Sequence, residues 1–173
     1  MESKAVIDKV YITSEAKMND CILMAKQNTH LVFVAWFNQT AKVFKDVFEL
    51  NNLDSSRVQV IMDVAHIKKA NLELVFIEHY PLVQNEIIVM AKFSQKSFIV
   101  LSAMDEPLFK YFGSDKMLPL ITLLGFKKEK AIEHSYVTAA ITKGQQKIAA
   151  LVLNDEGALS QAQWLQKHIA QNN

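Results

Sequence analysis

Leu31-Val32-Phe33-Val34-Ala35 is an unbroken apolar run with no alternation of inside and outside residues. A strand with one wet face alternates apolar and polar residues. A continuous run needs cover on both faces, which is the situation of a strand inside a parallel sheet. Val6 to Ile12, Val58 to Met62, Leu72 to Ile77 and Ser97 to Leu101 read as further strands. Between them lie helical patterns. Met18, Cys21, Ile22 and Ala25 recur at helical spacing over Ser14 to Gln27, behind the capping residues Thr13 and Ser14. Ala41, Phe44, Val47 and Phe48 mark a second helix, with Asn38 and Thr40 as its capping candidates and an end near Asn51-Asn52. Gln84 to Phe93 reads as a third, beyond the break at Tyr80-Pro81.

Past residue 102 the alternation stops. Asp105 to Phe112, Asp115 to Leu124, Ser135 to Val152 and Ala158 to Gln171 read as helices with no strand among them. Strand–helix alternation implies a mostly parallel sheet with right-handed crossovers. The expected organisation is therefore an α/β core over 1–102 and a helical extension over 103–173, packed on or next to that core.

Composition narrows the function. Half of the 173 residues are hydrophobic, with 4 Gly and 3 Pro, so the chain has a core to build and no linker-rich stretch. The net charge is +1, which gives no electrostatic footprint for a nucleic acid. Arg57 is the single arginine, and arginine is the usual bidentate partner of phosphate. Gly113, Gly125, Gly144 and Gly157 are far apart, and none follows an expected strand. A loop that cradles phosphates needs clustered glycines so that backbone N–H groups can approach the oxygens. Both the dinucleotide fingerprint and the Walker A loop are missing, and no cofactor is expected.

Cys21 is the lone cysteine and sits on the apolar stripe of the first helix, so it reads as a buried thiol rather than a nucleophile. A metal site can be drawn from Asp63, His66, Glu78 and His79, which fall at or near expected strand ends, where open α/β sheets bind ligands. Their spacing matches no zinc signature, and adjacent residues in a strand point to opposite faces. The plain reading is solvated loop residues. Phe33, Trp36, Phe37, Phe44 and Phe48 read as core rather than as base-stacking platforms. The start of the chain carries no apolar leader pattern, and the longest apolar run, Leu31 to Phe37, is far short of a membrane helix. A cytoplasmic protein without an integral membrane segment is expected.

One stretch is more specific. Leu101-Ser102-Ala103-Met104-Asp105-Glu106 leads to Phe112-Gly113-Ser114-Asp115 and Leu124-Gly125. Ile132-Glu133-His134 follows, then Val137-Thr138 and Ala140-Ile141. This resembles the SecA preprotein translocase ATPase family, at the end of its second motor domain where the helical scaffold begins. Asp8 to Thr13 with Glu15-Ala16-Lys17 is similar to the start of that motor domain, and His30 to Phe48 to its next strand–turn–helix. The likeness covers residues 6–50 and 98–148.

The resemblance implies a RecA-like fold of the helicase C-terminal type. It also shows what is missing. The family hydrolyses ATP between two such domains, with the phosphate loop in the first. The second contributes arginines to the γ-phosphate, but the matching stretch here, Val83 to Phe93, has neither arginine nor glycine. The resemblance thus implies a degenerate motor domain with no catalytic residue, acting as a protein-binding module on SecA or another translocation component. Two alternatives stand beside it. In one, the chain is the partner subunit of a split ATPase, with Arg57 and Lys92 as its phosphate contacts. In the other, it is a metal-dependent enzyme rebuilt around Asp63, His66, Glu78 and His79.

Overall fold

The computed structural model describes residues 4–64 and 72–169. Five strands form one all-parallel sheet: β1 (Ala5–Tyr11), β2 (Leu31–Ala35), β3 (Val58–Val60), β4 (Glu73–Phe76) and β5 (Ser97–Ala103). Their order across the sheet is β1-β5-β4-β2-β3. The helices are α1 (Ser14–Gln27), α2 (Asn38–Leu50), α3 (Ile61–Val64), α4 (Val83–Met90), α5 (Pro107–Tyr111), α6 (Ser114–Leu123), α7 (Ser135–Ala149) and α8 (Gln161–His168). This is the α/β architecture expected from the alternation, and it is consistent with a RecA-like fold.

The apolar run takes the interior position it requires. Phe33 of β2 pairs with Val58 on one side and Val75 on the other, and all five residues of β2 are buried. β3 is shorter than its sequence predicts. Its ladder ends where Val60 meets Ala35, the last residue of β2, and with no partner beyond that point the chain turns into α3.

The two faces carry separate cores, set by the period of two along each strand. Tyr11, Phe33, Val75, Ile77 and Leu101 face α1 and α2, where Cys21, Ala25, Phe44 and Phe48 cover them. Cys21 is fully buried, and burial pushes its thiol well above its ordinary range. Val10, Val32, Val34, Phe76 and Val100 face the other way, under Met90 of α4, Leu108 of α5, Ile141 and Ile148 of α7 and Trp164 of α8. The C-terminal helices are thus a second layer on the sheet rather than a projecting arm.

The tail also contributes a piece of extended chain that its helical pattern hides. Ile132 forms an antiparallel bridge to Val10, with Ile132 N–H donating to Val10 O at 2.7 Å and Val10 N–H to Ile132 O at 3.2 Å. Lys9 and Glu133 add a salt bridge of 3.3 Å beside it. Together they cover part of the outer edge of β1, which otherwise offers unpaired backbone groups.

A carboxylate-filled crevice at the strand ends

The order β1-β5-β4-β2-β3 decides where a crevice opens. The chain leaves β1 and β2 toward the face covered by α1 and α2. It leaves β4 and β5 toward the face covered by α4 and α5. Neighbouring strands therefore diverge at the sheet edge, β2 against β3, where the chain turns into α3, and along the crevice at β1 against β5 and β4 against β2. Such switch points at the carboxyl ends of strands are where open α/β sheets bind ligands. The two along the crevice are each also overlooked by a helix N-terminus, whose free N–H groups favour an anion.

Both helix N-termini are occupied by carboxylates of the chain itself. At β4 against β2, Glu78 Oε1 accepts from the N–H groups of Trp36 (2.9 Å) and Phe37 (3.0 Å), just ahead of α2. Its Oε2 accepts from the Thr40 hydroxyl at 2.8 Å. At β1 against β5, Asp105 accepts from the Ser14 N–H (2.9 and 3.0 Å) and from the Ser14 hydroxyl (2.6 Å) at the start of α1. Thr13 caps the same helix, accepting from Ala16 N–H at 3.2 Å. At α2 the sequence-based capping candidates Asn38 and Thr40 give way to Phe37 as the cap residue, with no side-chain capping bond of its own. The side chain that reaches the turn comes instead from Glu78, far away in sequence.

Between these two points lies a cavity of about 220 Å³, lined by Lys17, Thr40, Glu78, Glu106 and Gln161 among others. Lys17 is buried, and its ammonium donates to Ile77 O at 2.7 Å and to Glu106 Oε1. Among the described residues Glu106 Oε2 is buried with no hydrogen-bond partner. Burial raises the Glu106 pKa, against the pull of Lys17. Burial likewise pushes Glu78 up to about 7, although Thr40, Lys17 and the Phe37 amide favour its charged form. A larger hollow of about 370 Å³ lies between the turn at Leu151–Glu156 and the end of α8, lined by that turn with Lys167 and His168.

On the opposite face of the sheet His79 anchors a second buried cluster. Its Nε2 lies 3.0 Å from Asp8 of β1 and its Nδ1 2.9 Å from Glu86 of α4. Burial disfavours the charged ring, but the Glu86 and Asp8 carboxylates outweigh it and hold His79 up to about 10. Burial would raise Asp8, and the His79 hydrogen bond and charge instead keep it below its usual value. Gln145 of α7 donates to Glu86 Oε2 (3.0 Å) and to Tyr80 O (2.7 Å). Gln161 of α8 donates to His79 O (3.1 Å) and accepts from Leu108 N–H (2.8 Å). Two tail helices are therefore hydrogen-bonded to the end of β4.

The residues singled out from sequence are dispersed. Glu78 and His79 are adjacent in the chain but serve different partners on opposite faces. Asp63 lies in α3 and is exposed, and His66 is outside the described residues. Among the described residues no three His, Cys, Asp or Glu side chains are grouped to hold a metal ion. Arg57 sits before β3, at the amino ends of the strands. Its guanidinium donates to the carbonyls of Ala25 (2.9 Å), Asn28 (2.6 Å) and Leu31 (3.0 Å). Lys92 follows α4 and precedes β5, on that same side of the sheet. Neither lines the crevice.

Sequence reading passed over Asp8, Lys17, Glu86, Asp105 and Glu106. Each left a trace. Asp8 interrupts a β-branched strand, Lys17 stands one turn before Cys21 on the apolar stripe, and Asp105-Glu106 directly follow β5.

No family model matches the chain. Part of it is similar to curated proteins named protein translocase subunit SecA. The identity is 44% over 46 residues with that of Acidithiobacillus ferrooxidans, which is 27% of this chain and 5% of the relative. It is 37% over 46 residues with that of Ehrlichia chaffeensis. It is 40% over 55 residues with that of Beijerinckia indica, or 32% of this chain and 6% of the relative. The similarity is to a region of SecA, and the aligned segment spans about one-twentieth of the relatives' length. No helix among the described residues is long and apolar enough to cross a membrane.

Proposed function

We propose that this chain is a non-catalytic, SecA-like protein-interaction module of the translocation pathway, acting in the cytoplasm and binding SecA or another translocation component. In this reading residues 1–102 are a degenerate RecA-like core and residues 103–173 its helical extension. One observation carries the non-catalytic part: Glu78 and Asp105 fill the helix N-termini at the two switch points along the crevice. An incoming phosphate would have to displace a carboxylate from each, and it would meet like charge in doing so. The partial likeness to SecA supports the link to translocation.

Calorimetry with ATP and Mg²⁺ tests the first half, and capture of purified SecA by the immobilised chain tests the second. The expected results are no heat of nucleotide binding and a saturable SecA complex. A dissociation constant for ATP in the low micromolar range would overturn the non-catalytic reading. ATP hydrolysis that arises only when the chain is mixed with SecA would make it half of a split ATPase. Activity that depends on added divalent metal and is lost in Asp63→Ala would favour the rebuilt enzyme.

A further inference from the structure

The end of α6 presents an apolar surface to water. Met117, Leu120 and Leu124 recur at i, i+3 and i+7, so they share one side of the helix. Leu123 flanks them and Phe126 follows the turn. These five side chains are between 46 and 83% exposed, whereas Ile121 faces the core. The turn holds them in place. Gly125 takes φ 77°, its N–H donates to Thr122 O at 3.1 Å, and Phe126 N–H donates to Ile121 O at 3.4 Å. That is the paired arrangement of a Schellman cap. The apolar set is thus displayed on a defined surface and is too clustered to be the scatter normal on a monomer.

Its rim is basic. Lys110, Lys116, Lys127, Lys128 and Lys130 are all exposed, against two acids in the same stretch, Asp115 and Glu129. None of the five ammonium groups is held in an ion pair among the described residues. The chain as a whole is only +1, so positive charge is concentrated here. An apolar stripe within a lysine rim complements a segment with an apolar stripe and acidic flanks. Asp115 lies on the far side of α6 from the stripe, and Glu129 interrupts the positive surface between Lys128 and Lys130. A bilayer that presents only negative headgroups is repelled at Glu129, whereas a peptide can place a neutral or basic residue opposite it.

We infer that the α6 surface, from Met117 to Phe126 with its lysine rim, docks an acidic amphipathic helix of a partner protein. The inference rests on the chain being a protein-binding module and specifies the chemistry of what it binds. It predicts a contact dominated by Leu120 and Leu124 and steered by Lys127, Lys128 and Lys130.

The probe is a synthetic fluorescent helix-forming peptide of about four turns, with Leu and Phe on one face and Glu on the flanks. Fluorescence anisotropy against the 173-residue chain should show saturable binding that weakens as salt screens the lysines. Leu120→Asp and Leu124→Asp should each weaken it by about tenfold or more. Lys127→Gln with Lys128→Gln should weaken both the binding and its salt dependence. All these side chains are exposed, so circular dichroism melts of the variants should match the parent chain. A control peptide with Lys in place of Glu should not bind.

No binding of the acidic peptide overturns the inference, as does binding that all the variants retain. Sedimentation of the chain with phosphatidylserine vesicles through these same residues, without peptide binding, overturns it in favour of a membrane surface. Self-association abolished by Leu120→Asp overturns it in favour of a second copy. If SecA is captured equally by the parent and by Leu120→Asp, the module reading stands and this surface alone fails. If SecA is not captured but the peptide binds, the reverse holds.

Discussion

The Thr40 hydroxyl donates to Glu78 Oε2 at 2.8 Å and ties the first turn of α2 to the end of β4. Glu78 carries the consequence for pH. Its carboxyl is pushed by burial from 4.5 up to about 7. Between these values the folded chain binds the proton that the unfolded chain has released. The contribution is therefore fully present below about pH 4.5 and is lost as pH rises through about 7. Glu78→Gln removes this titration while keeping an acceptor for the Trp36 and Phe37 amides. Melting temperatures taken from pH 5 to 7.5 should fall less steeply in the variant, with Glu106 leaving a residual slope of the same sign. Parallel slopes in the two proteins would show that Glu78 does not titrate in this range.

His79, a base, gives the same sign in a higher pH window. Held up to about 10 by Glu86 and Asp8 despite its burial, it stabilises the fold fully below its unfolded value of 6.5. That contribution is lost as pH rises through about 10. Asp8, held low, contributes above 3.8 and loses its effect as pH falls through its lowered folded value. His79→Gln leaves two buried carboxylates without their cation and should cost about 3–5 kcal/mol. Urea unfolding at pH 7 measures this, and a loss under 1 kcal/mol would mean that the cluster behaves as an exposed ion pair.

Gly144 lies inside α7 against Phe112. A Cβ built there would fall 2.5 to 2.8 Å from the Phe112 ring. Alanine would raise helix propensity by about 1 kcal/mol, but the overlap costs about 1–3 kcal/mol, so Gly144→Ala should be destabilising. In a Phe112→Leu background the clash is relieved and the same change should stabilise. A double-mutant cycle by thermal melts reads the reversal of sign, and additive effects would refute the packing account.

Val32 is buried in an interior strand between β4 and β3. Val32→Asp places an unpaired carboxylate in the core beneath the C-terminal helices, at a cost of several kcal/mol. The variant should lose its cooperative melt or aggregate on gel filtration. A melting temperature equal to that of the parent would show that Val32 is not in the core.

Much of the frame was legible because it rests on short-range patterns. The β2 run announces an interior strand, and the α1 stripe gives a helix with the same ends as the structure. Local reading failed where a residue from elsewhere takes over a local role. Asn38 and Thr40 read as capping candidates of α2, yet Glu78, from beyond β4, accepts from the Trp36 and Phe37 N–H groups ahead of that helix. Ile132 sits in a stretch with no strand pattern and still bridges to β1, because a single bridge needs only one residue's backbone groups.

The sequence by itself determined the alternation of strands and helices, the faces they bury and the lack of a glycine-rich phosphate loop, since each follows from residue type and spacing along a few turns of chain. Only the tertiary structure decided the strand order, and with it the switch points at the carboxyl edge. It also decided that Glu78 and Asp105 would occupy the helix N-termini there, and that Asp8, His79 and Glu86 would share one buried cluster. The physical reason is range. A buried charge must find its partner wherever packing places one, and His79 finds Asp8 across 71 residues of sequence, a separation over which no periodicity carries information.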